Sequence, residues 1–226
     1  NDGNGVVTAV RLCDHNIELD TRRLRDRPGD RESPEPGIAN MHGGIIMMSI
    51  DPCLVPTKTL FDGTPIPTVG LGTFGSDHAD ENAVAQMVYD AAQAGYRLFD
   101  CAAVYGNEPQ IGEVFRRLFR EHVVERTDIT VISKVWNDMH GKGDVLLSCA
   151  RTLRDLQLDH LDVYLVHWPF RNTHLAGCDG DARNPDARPF SVDDYVETWR
   201  QMEDLVIRGL VKQIGMSNMT LPKLKA

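Results

Sequence analysis

The sequence predicts an α/β protein, a parallel (β/α)8 TIM-type barrel of which about five of eight βα units are present. Three observations point there. From Lys58 onward, short and almost continuously apolar runs alternate with segments of helical periodicity, the pattern of a parallel sheet covered by helices. Two architectures fit that alternation, a barrel and an open doubly wound sheet. The open sheet usually signals a nucleotide by GxGxxG after its first strand, and GLGTFG does not match, which favours the barrel. Finally, Asp100, Tyr105, Lys134 and His167 sit at the ends of three successive apolar runs, YRLFDCAAVYGNE, ITVISKVW and LDVYLVHWP. A parallel barrel gathers its chemistry at the C-terminal ends of its strands, so such residues converge on one pocket.

Residues 1–46 stand apart. They are rich in Arg, Asp, Gly, Pro and Asn and show neither helical nor strand periodicity, so a poorly ordered extension is expected. The chain starts at Asn1, while Met41, Met47 and Met48 lie just ahead of the first patterned segment. The natural start is expected at one of these, with the upstream residues a mis-assigned or artificial leader; native peptides from residues 1–40 would overturn that. The barrel domain is expected over 47–226.

Within it, KTLFDGTPIP reads as a hairpin, Asp62-Gly63 supplying the turn. TVGLGTF is the first candidate strand, with Gly70 and Gly72 allowing close approach of backbone or ligand. A helix over 80–94, with Val84, Met87, Val88 and Ala91 inward, is closed by Gly95. The strand RLFDCA leads to a helix over 108–124 with a stripe of Ile111, Val114, Phe115, Leu118 and Phe119. The strand ITVISK precedes a helix over 144–156 that turns Val145, Cys149, Leu153 and Leu156 inward, and DVYLVH follows. After a long loop over 168–190, Ser191 with Asp194 reads as the capped start of a helix carrying Val196, Trp199, Met202 and Val206 and stopping at Gly209. LVKQIGMS is the fifth strand, and another helix opens at Thr220.

Composition removes several classes. In 226 residues, 42% are hydrophobic and 25% charged, as in ordinary globular proteins, and a net charge of -9 without a basic stripe excludes non-specific nucleic-acid binding. Cys13, Cys53, Cys101, Cys149 and Cys178 are odd in number and scattered, which predicts reduced thiols in a cytosolic protein. The apolar stretch over 41–50 is too short and lacks the basic flank of a signal peptide, and nothing reads as a membrane span. In the long loop, His174, Cys178, Asp179 and Asp181 are irregularly spaced in Gly- and Pro-rich chain; no metal is expected, and the loop reads as a lid or rim over the pocket.

The four polar strand-end residues suit carbonyl reduction, which needs a hydride donor that no side chain supplies and a proton donor at the developing alkoxide. Tyr105 is the candidate acid, although a phenol near pKa ~10 holds its proton tightly. Lys134 would favour the phenolate, Asp100 would keep Lys134 charged and oriented, and neutral His167 would direct the substrate oxygen. Taken singly, each has an ordinary structural explanation, a Lys134–Asp100 salt bridge among them; the joint arrangement does not.

At this point the chain resembles the aldo-keto reductases, through GLGTF, FDCAAVYGNE, ISKVW, YLVHWP and IGMSN in the family's order, over about residues 57–226. The resemblance implies a barrel that binds NADPH, or NADH, and reduces aldehydes, ketones or aldoses, with Asp100, Tyr105, Lys134 and His167 as its catalytic residues. It also implies a cofactor site of Gly72, Thr73, Phe74, Asp100, Ser217 and Asn218, the last two at the nicotinamide carboxamide. Pocket walls are expected from Phe74, Val104, Trp136 and Trp168, beside His167, whereas mid-helix Trp199 is expected to be core packing. Phe74 stands where many members carry Trp, which detaches the substrate from any analogy. The partner expected is a small carbonyl compound, not nucleic acid, membrane or metal.

By the same resemblance, three further βα units would follow Ala226, including the segment that grips the 2′-phosphate of NADPH. Without them strands one and five would expose edges, so residues 1–226 alone are expected to be inactive and aggregation-prone. Two rival functions are a nucleotide-binding regulatory protein on the same fold, as in potassium-channel β subunits, and a hydrolytic or isomerising barrel enzyme; the metal-binding His/Asp pairs the latter would need are missing from the strand ends.

Overall fold

The structure is a computed structural model that describes residues 49–75, 80–169, 171, 184, 187 and 189–225. The extension expected over 1–46, the candidate starts Met41, Met47 and Met48, and His174, Cys178, Asp179 and Asp181 lie outside the described residues.

A hairpin comes first. β1 (Thr57–Thr59) pairs antiparallel with β2 (Pro65–Pro67), Lys58 opposite Ile66. Its turn depends on Gly63 at φ +90, and Asp62 accepts from the Thr64 N–H at 2.9 Å and the Thr64 hydroxyl at 2.7 Å.

The body is one five-stranded parallel sheet in sequence order: β3 (Leu71–Gly72), β4 (Leu98–Asp100), β5 (Thr130–Val135), β6 (Leu161–Val166) and β7 (Val211–Met216). The helices α1 (Glu81–Ala94), α2 (Glu108–Arg120), α3 (Asp144–Leu156) and α4 (Val192–Ile207) fill the four crossovers, and α5 (Leu221–Lys225) follows. Both β5 and β6 are buried along almost their whole length, which is why they read as continuous apolar runs. Between sheet and helices, Phe99 meets Phe115 edge-on at 5.5 Å, and Phe115 stacks on Phe119 at 6.4 Å. Among the described residues no helix is long and apolar enough to cross a membrane.

All four long helices end the same way. A residue at the cap, or one beyond it, turns left-handed, and the next N–H reaches back to the carbonyl five residues earlier: Tyr96 to Ala91, Val123 to Leu118, Leu158 to Leu153 and Leu210 to Leu205. Gly95 and Gly209 make this turn for α1 and α4, but His122 (φ 54) and Gln157 (φ 55) make it for α2 and α3. With no glycine to mark the stop, the expected end of α2 at 124 moves back to Arg120.

Three further expectations are corrected. Met87 is exposed; Tyr89 takes that edge of the α1 stripe, its hydroxyl donating to Glu121 at 2.7 Å with Arg117 over its ring. On α4, Val196 and Val206 are exposed, and Thr198, Met202 and Leu205 are buried instead. Thr198 is admitted to the core because its hydroxyl donates back to the Asp194 carbonyl at 3.0 Å. The first strand is two residues, shorter than TVGLGTF. Trp199 packs on the core and stacks on Tyr195, as expected.

At the N-terminal end of the sheet, one carboxylate ties three strands together. Asp162 accepts from Arg126 at 2.9 Å, from the Val131 N–H at 2.9 Å and from Lys212 at 2.8 Å. In barrels this end serves stability, and the opposite end is left for chemistry.

Candidate active site

At the C-terminal ends of β3, β4, β6 and β7 the ladder continues for one residue beyond the strand. Thr73 N–H donates to Asp100 O (3.0 Å), Cys101 N–H to Ile132 O (2.8 Å), His167 N–H to Val135 O (3.2 Å) and Ser217 N–H to Val166 O (2.9 Å). These bonds hold Thr73, His167 and Ser217 on rigid backbone, and Lys134 lies within β5 itself. The polar residues therefore converge because the strands are parallel and in register, Gly72 opposite Asp100 and Lys134 opposite Leu165.

Lys134 is the hub. Its side chain is 1% exposed and its Nζ lies 2.9 Å from Asp100 Oδ1. The same ammonium donates to the Cys101 carbonyl and to the Tyr105 hydroxyl, both at 3.1 Å. An ammonium has three protons to place, and three oxygens take them. Burial acts to lower the Lys134 pKa, but the Asp100 carboxylate and the Tyr105 oxygen outweigh it, and the net shift is upward. The group stays charged at neutral pH.

Tyr105 comes from a 3-10 turn, Ala103–Tyr105, closed by Gly106 in the left-handed region at φ +71. Its ring packs against Phe74 at 5.1 Å and edge-on against His167 at 5.9 Å, and Trp136 backs His167 at 4.9 Å. His167 is nearly fully buried, and its Nδ1 has no hydrogen-bond partner among the described residues. Burial first, then the Lys134 charge, push its pKa down to about 3, so the imidazole is neutral in use.

The structure brings Asp100, Tyr105, Lys134 and His167 together as expected. Phe74 and Trp136 join them through ring contacts, whereas Val104 and Trp168 are half-buried neighbours along the chain of Tyr105 and His167. Gly72 is exposed, with open space where a Cβ would stand. Ser217 and Asn218 sit beside His167: Asn218 Nδ2 donates to the His167 carbonyl at 2.9 Å and to Ser217 Oγ at 3.2 Å.

Two polar residues behind the tetrad were assigned no role from the sequence. Asn107 donates its Nδ2 to the Thr73 carbonyl at 2.7 Å, and Glu108 accepts from Ser133 at 2.6 Å and Thr152 at 3.0 Å. Burial pushes the Glu108 carboxyl up, and those two hydroxyls pull it partly back. In the sequence they close the segment FDCAAVYGNE directly after Tyr105, with nothing nearby to name their hydrogen-bond partners. Among the described residues no group of three or more His, Cys, Asp or Glu side chains could hold a metal ion.

A parallel barrel sheet with an Asp–Lys–Tyr–His cluster at its C-terminal end defines a class of barrel proteins, and comparison with known proteins identifies which. The model of the aldo/keto reductase family matches residues 68–226, and the chain belongs to that family. It is 41% identical over 172 residues to aldose reductase C of Dictyostelium discoideum, covering 73% of this chain and 52% of that one. To the NAD(P)H-dependent D-xylose reductase of Pachysolen tannophilus it is 41% identical over 174 residues, covering 72% and 51%. Among solved structures, the Bombyx mori aldo-keto reductase in complex with NADP superposes with a TM-score of 0.67 at 34% identity, covering 78% of this chain and 54% of that one. The chain thus spans about half the length of the relatives it matches, and its five-stranded sheet corresponds to part of the family's barrel.

Proposed function

We propose that this protein reduces the carbonyl of an aldehyde, ketone or aldose to the alcohol, with NADPH, or NADH, as reductant and Tyr105 as general acid. The observation that carries this is the buried Lys134 ammonium, held between Asp100 and the Tyr105 hydroxyl. Family membership supports the reaction class, and the NADP bound to the Bombyx mori relative supports the cofactor.

The residues at the end of β7 fit a nicotinamide carboxamide. Asn218 has spent its two N–H protons on His167 and Ser217, which leaves its Oδ1 to accept from an amide NH2. The Ser217 hydroxyl accepts from Asn218 and keeps its own proton for the amide oxygen. Thr73, Phe74, the open space at Gly72 and the edge of Asp100 complete that side.

When bound, the reduced nicotinamide supplies a hydride to the carbonyl carbon. As the C=O π pair moves onto oxygen, that oxygen takes the Tyr105 proton, and the phenolate left behind faces the Lys134 ammonium at 3.1 Å. Two unit charges at that separation attract by roughly 5 kcal/mol at an effective dielectric of about 20, part of which the Asp100 charge offsets. Neutral His167 hydrogen-bonds the substrate oxygen and aims it at Tyr105. Phe74, Val104, Trp136 and Trp168 form the apolar wall that excludes water. A cytosolic location fits the unpaired thiols of Cys53, Cys101 and Cys149.

The test is NADPH oxidation by the protein against aldoses and aromatic aldehydes. Tyr105→Phe should lower kcat by about 10²–10⁴-fold. Full activity in that variant would remove Tyr105 as the acid; nucleotide binding without turnover in the parent would favour the regulatory, nucleotide-binding alternative.

A further inference from the structure

We propose that Asn107 and Glu108 are positioning residues that clamp the Tyr105 turn between β3 and β5 and so set the Tyr105–Lys134 separation. This rests on the assignment of Tyr105 as the general acid and extends it to residues that touch neither substrate nor cofactor.

The chain path makes the clamp. Tyr105 ends a 3-10 turn, Gly106 reverses direction, and Asn107 is the cap residue of α2. An Asn at this place ordinarily accepts from the N–H groups of the first helical turn, a bond whose loss costs about 1 kcal/mol. Asn107 makes no such bond; its side chain is buried and reaches 34 residues back to the Thr73 carbonyl. Thr73 is itself tied to β4, donating both its N–H (3.0 Å) and its hydroxyl (3.1 Å) to the Asp100 carbonyl. The exit of β3, the Asp100 backbone and the residue two beyond Tyr105 thus form one closed circuit.

Glu108 closes the other side. It is the first residue of α2, almost fully buried, and its two oxygens accept from Ser133 and Thr152. Ser133 directly precedes Lys134 on β5, and neighbours on a strand point to opposite faces. Glu108 therefore grips β5 from the helix side at the residue next to the one whose ammonium meets Tyr105 on the site side. The Tyr105 turn is fixed to Thr73 by one residue and to Ser133 by the next. Without these anchors, the turn's own backbone bonds, ring packing and the long reach of the Lys134 side chain would be left to hold the two polar atoms at 3.1 Å. Misplacement of such a pair by about 1 Å can cost ~10²-fold in rate.

The experiment uses the full-length protein and two variants, Asn107→Ala and Ser133→Ala, each removing one anchor and leaving every group of the tetrad in place. In both, kcat should fall about 10- to 100-fold with KM for the carbonyl within about twofold. The ring signal of Tyr105, followed by NMR with ¹³C-labelled tyrosine and assigned by Tyr105→Phe, should titrate at higher pH than in the parent. A loss of thermal stability with kcat and the Tyr105 titration both unchanged would reduce the two residues to structural filling and overturn the proposal. If Asn107→Ala fails to fold, Ser133→Ala decides by the same readings. If the parent turns over no carbonyl, the reductase assignment fails, yet the titration still reads the clamp: a shifted Tyr105 signal upholds it and an unmoved one rejects it.

Discussion

His140 and His167 should make this protein acid-labile well above the range in which carboxylates protonate. Both imidazoles are buried, and burial, with Arg171 acting on His140 and Lys134 on His167, pushes their pKa values down to about 4 and about 3. In the unfolded chain a histidine titrates near ~6.5. The unfolded state therefore binds protons that the folded state refuses between those values, and stability is full above pH ~6.5 and falls as the pH is lowered through the window. Each histidine contributes a slope of about 1.4 kcal/mol per pH unit inside it, so His140 alone accounts for roughly 3 kcal/mol by pH ~4. The variant His140→Gln isolates this. The bond from the Thr198 hydroxyl to residue 140 goes to its backbone carbonyl and survives the change, whereas the buried Nε2, which has no hydrogen-bond partner among the described residues, is removed. Urea unfolding followed by tryptophan fluorescence between about pH 7 and about pH 5 should show the stability of the parent falling with twice the slope of the variant. Equal slopes, or a His140 ring signal titrating near ~6.5 by NMR, would refute the reasoning.

Three further outcomes follow from particular contacts. Gly112→Ala would ordinarily gain about 0.5–1 kcal/mol in a helix, but here the new Cβ would meet the Asp155 carbonyl and the Leu156 backbone at 2.8 Å. Backbone cannot yield as a side chain can, so urea unfolding should show a loss of more than about 2 kcal/mol. Asp162→Ala strands the partly buried Arg126 and the Val131 N–H, and should cost about 2–4 kcal/mol. The same variant, assayed below its unfolding temperature, should keep the carbonyl KM of the parent, because the change lies at the opposite end of the sheet. His122→Gly relieves a left-handed residue at the end of α2 and should raise stability by about 0.5–1 kcal/mol in the same measurement.

What the sequence by itself determined was periodicity and punctuation. Strands such as ITVISKV and LDVYLV read correctly because burial on both faces keeps the runs mostly apolar, and the polar residues within them, Ser133, Lys134 and Asp162, are paired. Ends closed by Gly95 and Gly209 read correctly because glycine advertises a left-handed turn, and the proximity of Asp100, Lys134 and His167 was legible because each stands at or beside the end of an apolar strand, with Tyr105 in the turn that follows one of them. Tertiary structure decided the remainder. The helix stops at His122 and Gln157 are held by the surrounding fold in a conformation their side chains disfavour, which no local rule reveals. Which edge of α1 and α4 faces inward depended on what lay opposite: Tyr89 found Glu121 and Arg117, and Thr198 satisfied its hydroxyl on its own helix. The bond from Asn107 to Thr73 joins residues 34 apart that parallel strands bring side by side, and from sequence alone that asparagine is an ordinary cap. Apolar burial is written locally in the chain, because it depends on composition at a fixed spacing; the partner of a buried polar group is not, because a hydrogen bond is directional and its other half is supplied by a distant segment.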